Sequence, residues 1–151
     1  MIKETELELQ KSVHLLLSDP SVVRATTAGK RLQILSPGRH NVLGGPDFKD
    51  TAILLNGNII VGDAEFHRNS SEWFVHSHDE NREFDSVVLH IVLNYDNQSK
   101  LPFDTLLLNK VELRTNMEKL KTDIKPDINS IQDLQDYALI RLLRKSADAK
   151  K

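Results

Sequence analysis

Asn56-Gly57 stands between two apolar runs, "TAILL" and "IIVGDAEFH". An Asn-Gly pair accepts the left-handed backbone that a tight antiparallel turn demands, so the stretch is read as a β-hairpin. A hairpin commits the chain to a sheet. Side chains alternate along a strand, so Asp63, Glu65 and His67 share one face of the returning strand and Ile60, Ala64 and Phe66 share the other. The second face is core; the first calls for an explanation.

Neighbours on one strand face are roughly 7 Å apart. Two carboxylates at that separation repel by about 2 kcal/mol at an effective dielectric of ~20. Water can screen them, a basic side chain can offset them, or a cation can use them. Turn length decides what faces them. A three-residue "NGN" turn puts Asp47 opposite His67 and diagonal to Glu65, whereas a two-residue Asn56-Gly57 turn puts Asp50 opposite Asp63. Either register adds an aspartate to the acidic end. Carboxylate oxygens suit Mg²⁺, and an added imidazole moves the preference toward Mn²⁺ or Zn²⁺. The alternative is a solvated acidic rim of the sheet.

The rest of the chain supplies partners for the hairpin. Thr5 and Glu8 have capping-box spacing, and Leu9, Val13, Leu16 and Leu17 repeat on one face, which predicts a helix over residues 5–18 ended by Asp19-Pro20. "KRLQIL" alternates as a strand. Residues 36–48 hold three glycines and two prolines and form a long structured loop. "SVVLHIVLNYD" is apolar on both faces, as a central strand is. "DTLLLNKVEL" is a further strand candidate, which sets the sheet core at about residues 31–113. Ser130 and Asp133 open a helix over about 130–146 whose buried face is Ile131, Leu134, Ala138 and Leu142. The fold class is α/β, with α+β as the variant: a central mixed sheet containing the hairpin, flanked by N- and C-terminal helices.

The 151 residues are one domain's length, enough to bury a core without staples. The net charge of −2 gives the whole chain no electrostatic pull toward nucleic acid, so phosphate binding would need a local patch. There is no cysteine, hence neither a disulfide nor a thiolate metal site. No apolar run reaches the length of a membrane span, and the charged start "MIKETELELQ" lacks a signal-peptide core, so the expected setting is cytoplasmic.

Other polar residues have two readings each. His76 and His78 form an H-x-H pair that, with His67, could ligate a metal, or could be ordinary polar-loop residues. Glu83 extends the pair to part of the first cupin motif, without its flanking glycines. His90 lies on an apolar strand and reads as a hydrogen-bonded core histidine. Trp73 and Phe74 read as packing. Arg39, His40 and Asn41 could contact an anion or tie the long loop down.

The ordered motifs "GRHN", "GGPDF", "GDAEFH", "SSEW", "HSH" and "VVLHIV", over residues 26–96, resemble domain-of-unknown-function family 2851, a bacterial family with no established activity, of which this chain looks like a short version. A broader resemblance is to the PD-(D/E)xK nucleases. Pro46-Asp47 matches the first half of that motif, and Glu65-Phe66-His67 matches the second with His in place of Lys. That resemblance implies a restriction-endonuclease-like core. It also implies Mg²⁺ or Mn²⁺ held by Asp47 and Glu65 with help from Asp63, His67 in the catalytic lysine's place, and nucleic acid as partner. The expected function is a metal-dependent phosphodiesterase or nuclease-like activity. The alternatives are a metal- or ligand-binding module using His67, His76 and His78, and a structural domain with a degenerate site.

Overall fold

The computed structural model describes residues 5–75, 81–96 and 101–124. His76, His78 and the helix expected over 130–146 lie outside the described residues. The chain divides into two compact units, residues 1–114 and 115–151. The sheet lies in the first. Of the second, residues 115–124 are described, as the continuation of a helix.

Helix α1 (Glu6–Leu16) begins as its spacing predicts. The Thr5 hydroxyl accepts from the Glu8 N–H, and the Glu8 carboxylate accepts from the Thr5 N–H, a complete capping box. Strands β1 (Val23–Ala25), β2 (Arg31–Ser36), β3 (Arg39–His40), β4 (Phe48–Leu55) and β5 (Asn58–Asn69) follow. Then come the short helix α2 (Glu72–Val75), a 3-10 turn (Arg82–Phe84), β6 (Val87–Asn94), β7 (Asp104–Leu107) and α3 (Lys110–Ile124).

The described strands form one mixed sheet in the order β1-β2-β4-β5-β6-β7, with β3 beside β4. β1 through β5 pair antiparallel, and β6 is parallel to both β5 and β7. The fold is therefore mixed α+β around a mixed sheet that contains the hairpin. β6 is central, as its two-sided apolar pattern requires: Leu89, His90, Ile91 and Val92 are all at most 1% exposed. Leu9 and Val13 of α1 are wholly buried, as are Leu32, Ile53 and Ala64 of the sheet. No described helix is long and apolar enough to cross a membrane.

One expected strand is shorter than "DTLLLNKVEL". β7 ends at Leu107, and residues from Lys110 onward are helical. The Asn109 side chain accepts from the N–H groups of Val111 and Glu112, so it caps α3. Asparagine is among the strongest N-caps, and that local signal outweighs the apolar run before it.

β2 and β3 lie end to end along one edge of β4, interrupted at Pro37-Gly38. Gly38 has φ +76°, and a methyl group there would stand 2.1 Å from the Lys49 carbonyl oxygen. Gly38→Ala should therefore cost at least about 2 kcal/mol, from left-handed strain plus displaced backbone. Urea unfolding measures it, and an unchanged midpoint would contradict this account of the break.

The hairpin register contains the main structural surprise. Leu55 pairs with Asn58, so the turn has two residues, Asn56 and Gly57, at φ 48° and 86°. That register holds only as far as Thr51–Gly62. Asp50, at φ 58°, is then an extra residue on β4, and Phe48 pairs with Ala64. A β-bulge thus corrects both expected registers. Asp50 does not face Asp63 as a paired residue, and Asp47 does not face His67. Continuing the shifted pairing puts Asp47 across from Glu65.

Candidate functional site

The acidic face of β5 is not a solvated rim. Asp63, Glu65 and His67 are 5%, 4% and 3% exposed. The same face is open near the turn, where Ile59 and Val61 are exposed, and covered beyond Gly62. Buried polar groups need partners, and the three acquire different ones.

Asp63 is a clamp. Its carboxylate accepts from Lys49 Nζ at 3.1 Å, from the Asp50 N–H at 3.1 Å and from the Ser86 hydroxyl. Burial pushes its carboxyl up. The Ser86 hydroxyl, the Asp50 N–H and the Lys49 ammonium outweigh that and hold it below the usual aspartate value. It joins the bulged turn of β4 to the start of β6, and it is not on the wall of the cavity that Asp47 and Glu65 line.

Asp47 and Glu65 do come together. Glu65 Oε1 accepts from the Asp47 N–H at 3.0 Å, and Asp47 Oδ2 accepts from the Phe66 N–H at 2.9 Å. Burial, a hydrogen bond to the Asp47 carboxyl and the charge of Asp47 push Glu65 up to about 10. The pair therefore holds a proton at neutral pH, carried by Glu65. Two carboxyl groups this close, one of them buried, need one positive charge between them, whether a proton or a metal.

His67 sits beside Glu65, with Nε2 3.6 Å from Oε2. Its Nδ1 is 2.8 Å from His90 Nε2, and the two rings meet edge to face. His90 is the hydrogen-bonded core histidine that its strand position implies. Behind it, Trp73 packs against His90, Phe84 and Phe103, with ring centroids 5.4, 5.8 and 4.6 Å away. Trp73 is packing, as its sequence context suggests.

The pair opens onto a cavity of about 500 Å³ whose wall includes Glu6, Gln10, Asp47, Glu65, His67 and Glu72, with Leu43 and Phe84 as apolar surface. Burial and the charges of Asp47 and Glu72 raise the Glu6 carboxyl, and Arg68, 3.7 Å away, opposes this. The cavity wall is acidic and, among the described residues, carries no lysine. Among the described residues, no three His, Asp or Glu side chains are gathered closely enough to hold a metal ion on their own. The donor chemistry nevertheless fits Mg²⁺ or Mn²⁺: two carboxyl groups meet beside an imidazole, and the cavity has room for the waters such ions retain.

Arg39 and Asn41, which the sequence offers as an anion contact or as ties for the long loop, both have internal partners. Arg39 pairs with Asp50 at 3.0 Å on the surface. Asn41 donates to the carbonyls of Gly44 and Pro46 and accepts from the Leu43 N–H, which shapes the loop over the cavity. Glu6 and Gln10 were not singled out from the sequence as site residues. They lie four residues apart on α1, hence on one helix face, but nothing local says that this face meets Asp47.

No curated protein and no solved structure matches the chain. The model of the protein family of unknown function DUF2851 matches residues 21–143, most of the chain and the whole stretch from β1 through the described part of α3. The chain belongs to the DUF2851 family.

Proposed function

We propose that this protein is a divalent-metal-dependent phosphodiester hydrolase of nuclease type, acting on nucleic acid in the cytoplasm. The observation that carries the reading is the meeting of Asp47 and Glu65 on the cavity wall. Asp47 enters one strand of the hairpin, and Glu65 and His67 leave the other. The element order supports it as well: a helix before the β4–β5 hairpin, and a linker and the central strand β6 after it, fit the core order of the PD-(D/E)xK superfamily.

In this reading Asp47 and Glu65 would hold Mg²⁺ or Mn²⁺, with Glu65 in its deprotonated form. The chemistry the ion supplies is a lowered pKa for a bound water and stabilisation of charge on the phosphate. His67 stands where a lysine would. Its Nδ1 lies 2.8 Å from His90 Nε2; in the tautomer that donates from Nδ1, this contact would fix the ring and leave Nε2 to take a proton from water. Asp63 serves the site by holding the bulge that aligns Asp47 with Glu65.

Calorimetric titration with Mg²⁺ and Mn²⁺, together with cleavage assays on single- and double-stranded DNA and RNA, tests the reading. The wild type is expected to bind Mn²⁺ and cleave at least one substrate, and Glu65→Ala to do neither. A wild type that neither binds metal nor cleaves ends it.

A further inference from the structure

Asp47 is held at both oxygens. Phe66 N–H occupies Oδ2, and Gln10 Nε2 donates to Oδ1 at 3.0 Å. The other end of the Gln10 amide, Oε1, lies 2.8 Å from His40 Nε2. An amide oxygen only accepts, so His40 carries its proton on Nε2. The amide can therefore sit only one way round. Were His40 to present a bare Nε2, Gln10 would turn its NH₂ toward the histidine and its oxygen toward the Asp47 carboxylate, which repels it.

His40 is itself fixed. Its backbone pairs with Phe48, and its ring lies 5.8 Å from the Phe48 ring and 6.5 Å from that of His14. His14 in turn bonds the Gly38 carbonyl at 2.7 Å. Gln10 and His14 are four residues apart on α1, so one helix face reaches both the site and the Pro37-Gly38 break that precedes β3, the strand of His40. Burial lowers the His40 pKa, with Asp47 opposing and Lys11 reinforcing. A neutral ring still donates from Nε2, and it adds no positive charge to compete with a cation.

We propose that Gln10 and His40 are positioning residues: through the Gln10 amide, His40 sets the angle at which the Asp47 carboxylate and Glu65 share one divalent cation. The inference rests on the metal reading of the Asp47–Glu65 pair. It extends the site to α1, and Gln10 lies outside the residues that the family model matches. Neither residue touches the cation. Their effect reaches it through Asp47, as outer hydrogen-bond partners of metal ligands do.

The test uses the full chain and Mn²⁺ alone, with affinity from calorimetry and melting temperature from circular dichroism. Gln10→Met keeps the length and removes both hydrogen bonds. His40→Phe keeps the ring packing and removes the donor. Each should weaken Mn²⁺ binding by about 10- to 100-fold. The double variant should be no weaker than Gln10→Met, because both act along one path. His40→Gln places an amide N–H where Nε2 was and should recover affinity to within about threefold of wild type. A merely structural role would lower the melting temperature without this rescue. If Gln10→Met does not fold, the His40→Phe and His40→Gln pair decides the matter alone. Wild-type protein that binds Mn²⁺, with variants that bind it equally or a His40→Gln variant that recovers nothing, overturns this inference only. Wild-type protein that binds no Mn²⁺ overturns the metal reading and this inference with it.

Discussion

Glu65→Gln should make the metal-free protein more stable above about pH 5, and increasingly so as pH rises. The folded Glu65 carboxyl is pushed up to about 10, first by burial and then by Asp47. Its unfolded value is near 4.5. Between those two values the folded chain holds a proton that the unfolded chain releases. The stability linked to that proton is fully present below about pH 4.5 and is lost as pH rises toward about 10. A full pKa unit corresponds to about 1.4 kcal/mol, so the loss approaches that amount per pH unit within the window. Glutamine presents the neutral form at every pH. Its oxygen still accepts from the Asp47 N–H, and its NH₂ donates toward the Asp47 carboxyl. At pH 7 the variant should gain on the order of 1–3 kcal/mol, and its stability should be flatter across pH 5–9. On the metal reading proposed above, the same substitution removes a charge that would hold the ion, so Mn²⁺ should no longer stabilise the fold. Urea unfolding at several pH values, with and without Mn²⁺, reads both effects. Parallel pH profiles for wild type and variant would refute the protonated-pair account.

Asp63→Ala should act in the opposite direction, lowering stability by about 1–3 kcal/mol, as removing the acceptor of buried hydrogen-bond donors does, with the partly exposed Lys49 ammonium resolvated. The variant strands the Ser86 hydroxyl and the Asp50 N–H, which together with the Lys49 ammonium now meet one carboxylate. The acid limb of stability should shrink as well. The folded Asp63 carboxyl lies below its unfolded value of 3.8, so its contribution is present above that pH and is lost as pH falls through the folded value. The experiment also separates two roles for Asp63. A metal ligand exposed to the cavity would, on removal, weaken Mn²⁺ binding and leave stability nearly unchanged. A clamp would cost stability first. Denaturant unfolding at pH 7 and pH 4 decides between them, and an unchanged midpoint at both would refute the clamp.

Much of the scaffold was legible because its signals are local. The Asn56-Gly57 turn, the Thr5–Glu8 capping box and the central strand from Val87 each depend on a few adjacent residues and one backbone preference. The misplaced end of β7 was also local. Asn109 is a strong N-cap, but it follows an apolar run that reads equally well as continuing strand.

The candidate site was half legible. Motif spacing and alternation picked out Asp47, Glu65 and His67 as a group, and the structure brings these three to one cavity wall. Which residue faces which was not legible. Pairing in a hairpin follows from the turn until a bulge intervenes, and this bulge depends on Asp50 taking a left-handed φ of 58°. Aspartate tolerates that conformation without announcing it. The three donors that fix the Asp63 clamp come from Lys49, Asp50 and Ser86, and the last is 23 positions away in sequence.

By itself, then, the sequence determined the hairpin, its flanking helix, the central strand and the acidic character of one strand face, because periodicity and turn chemistry act within a few residues. Only the tertiary structure decided that the acids are buried and that Asp63 clamps a bulge while Glu65 keeps a proton beside Asp47. The tertiary structure also recruited Gln10 and His40 to hold that aspartate. Those outcomes depend on a one-residue slip in register and on contacts between residues far apart in the chain, and no local pattern encodes either.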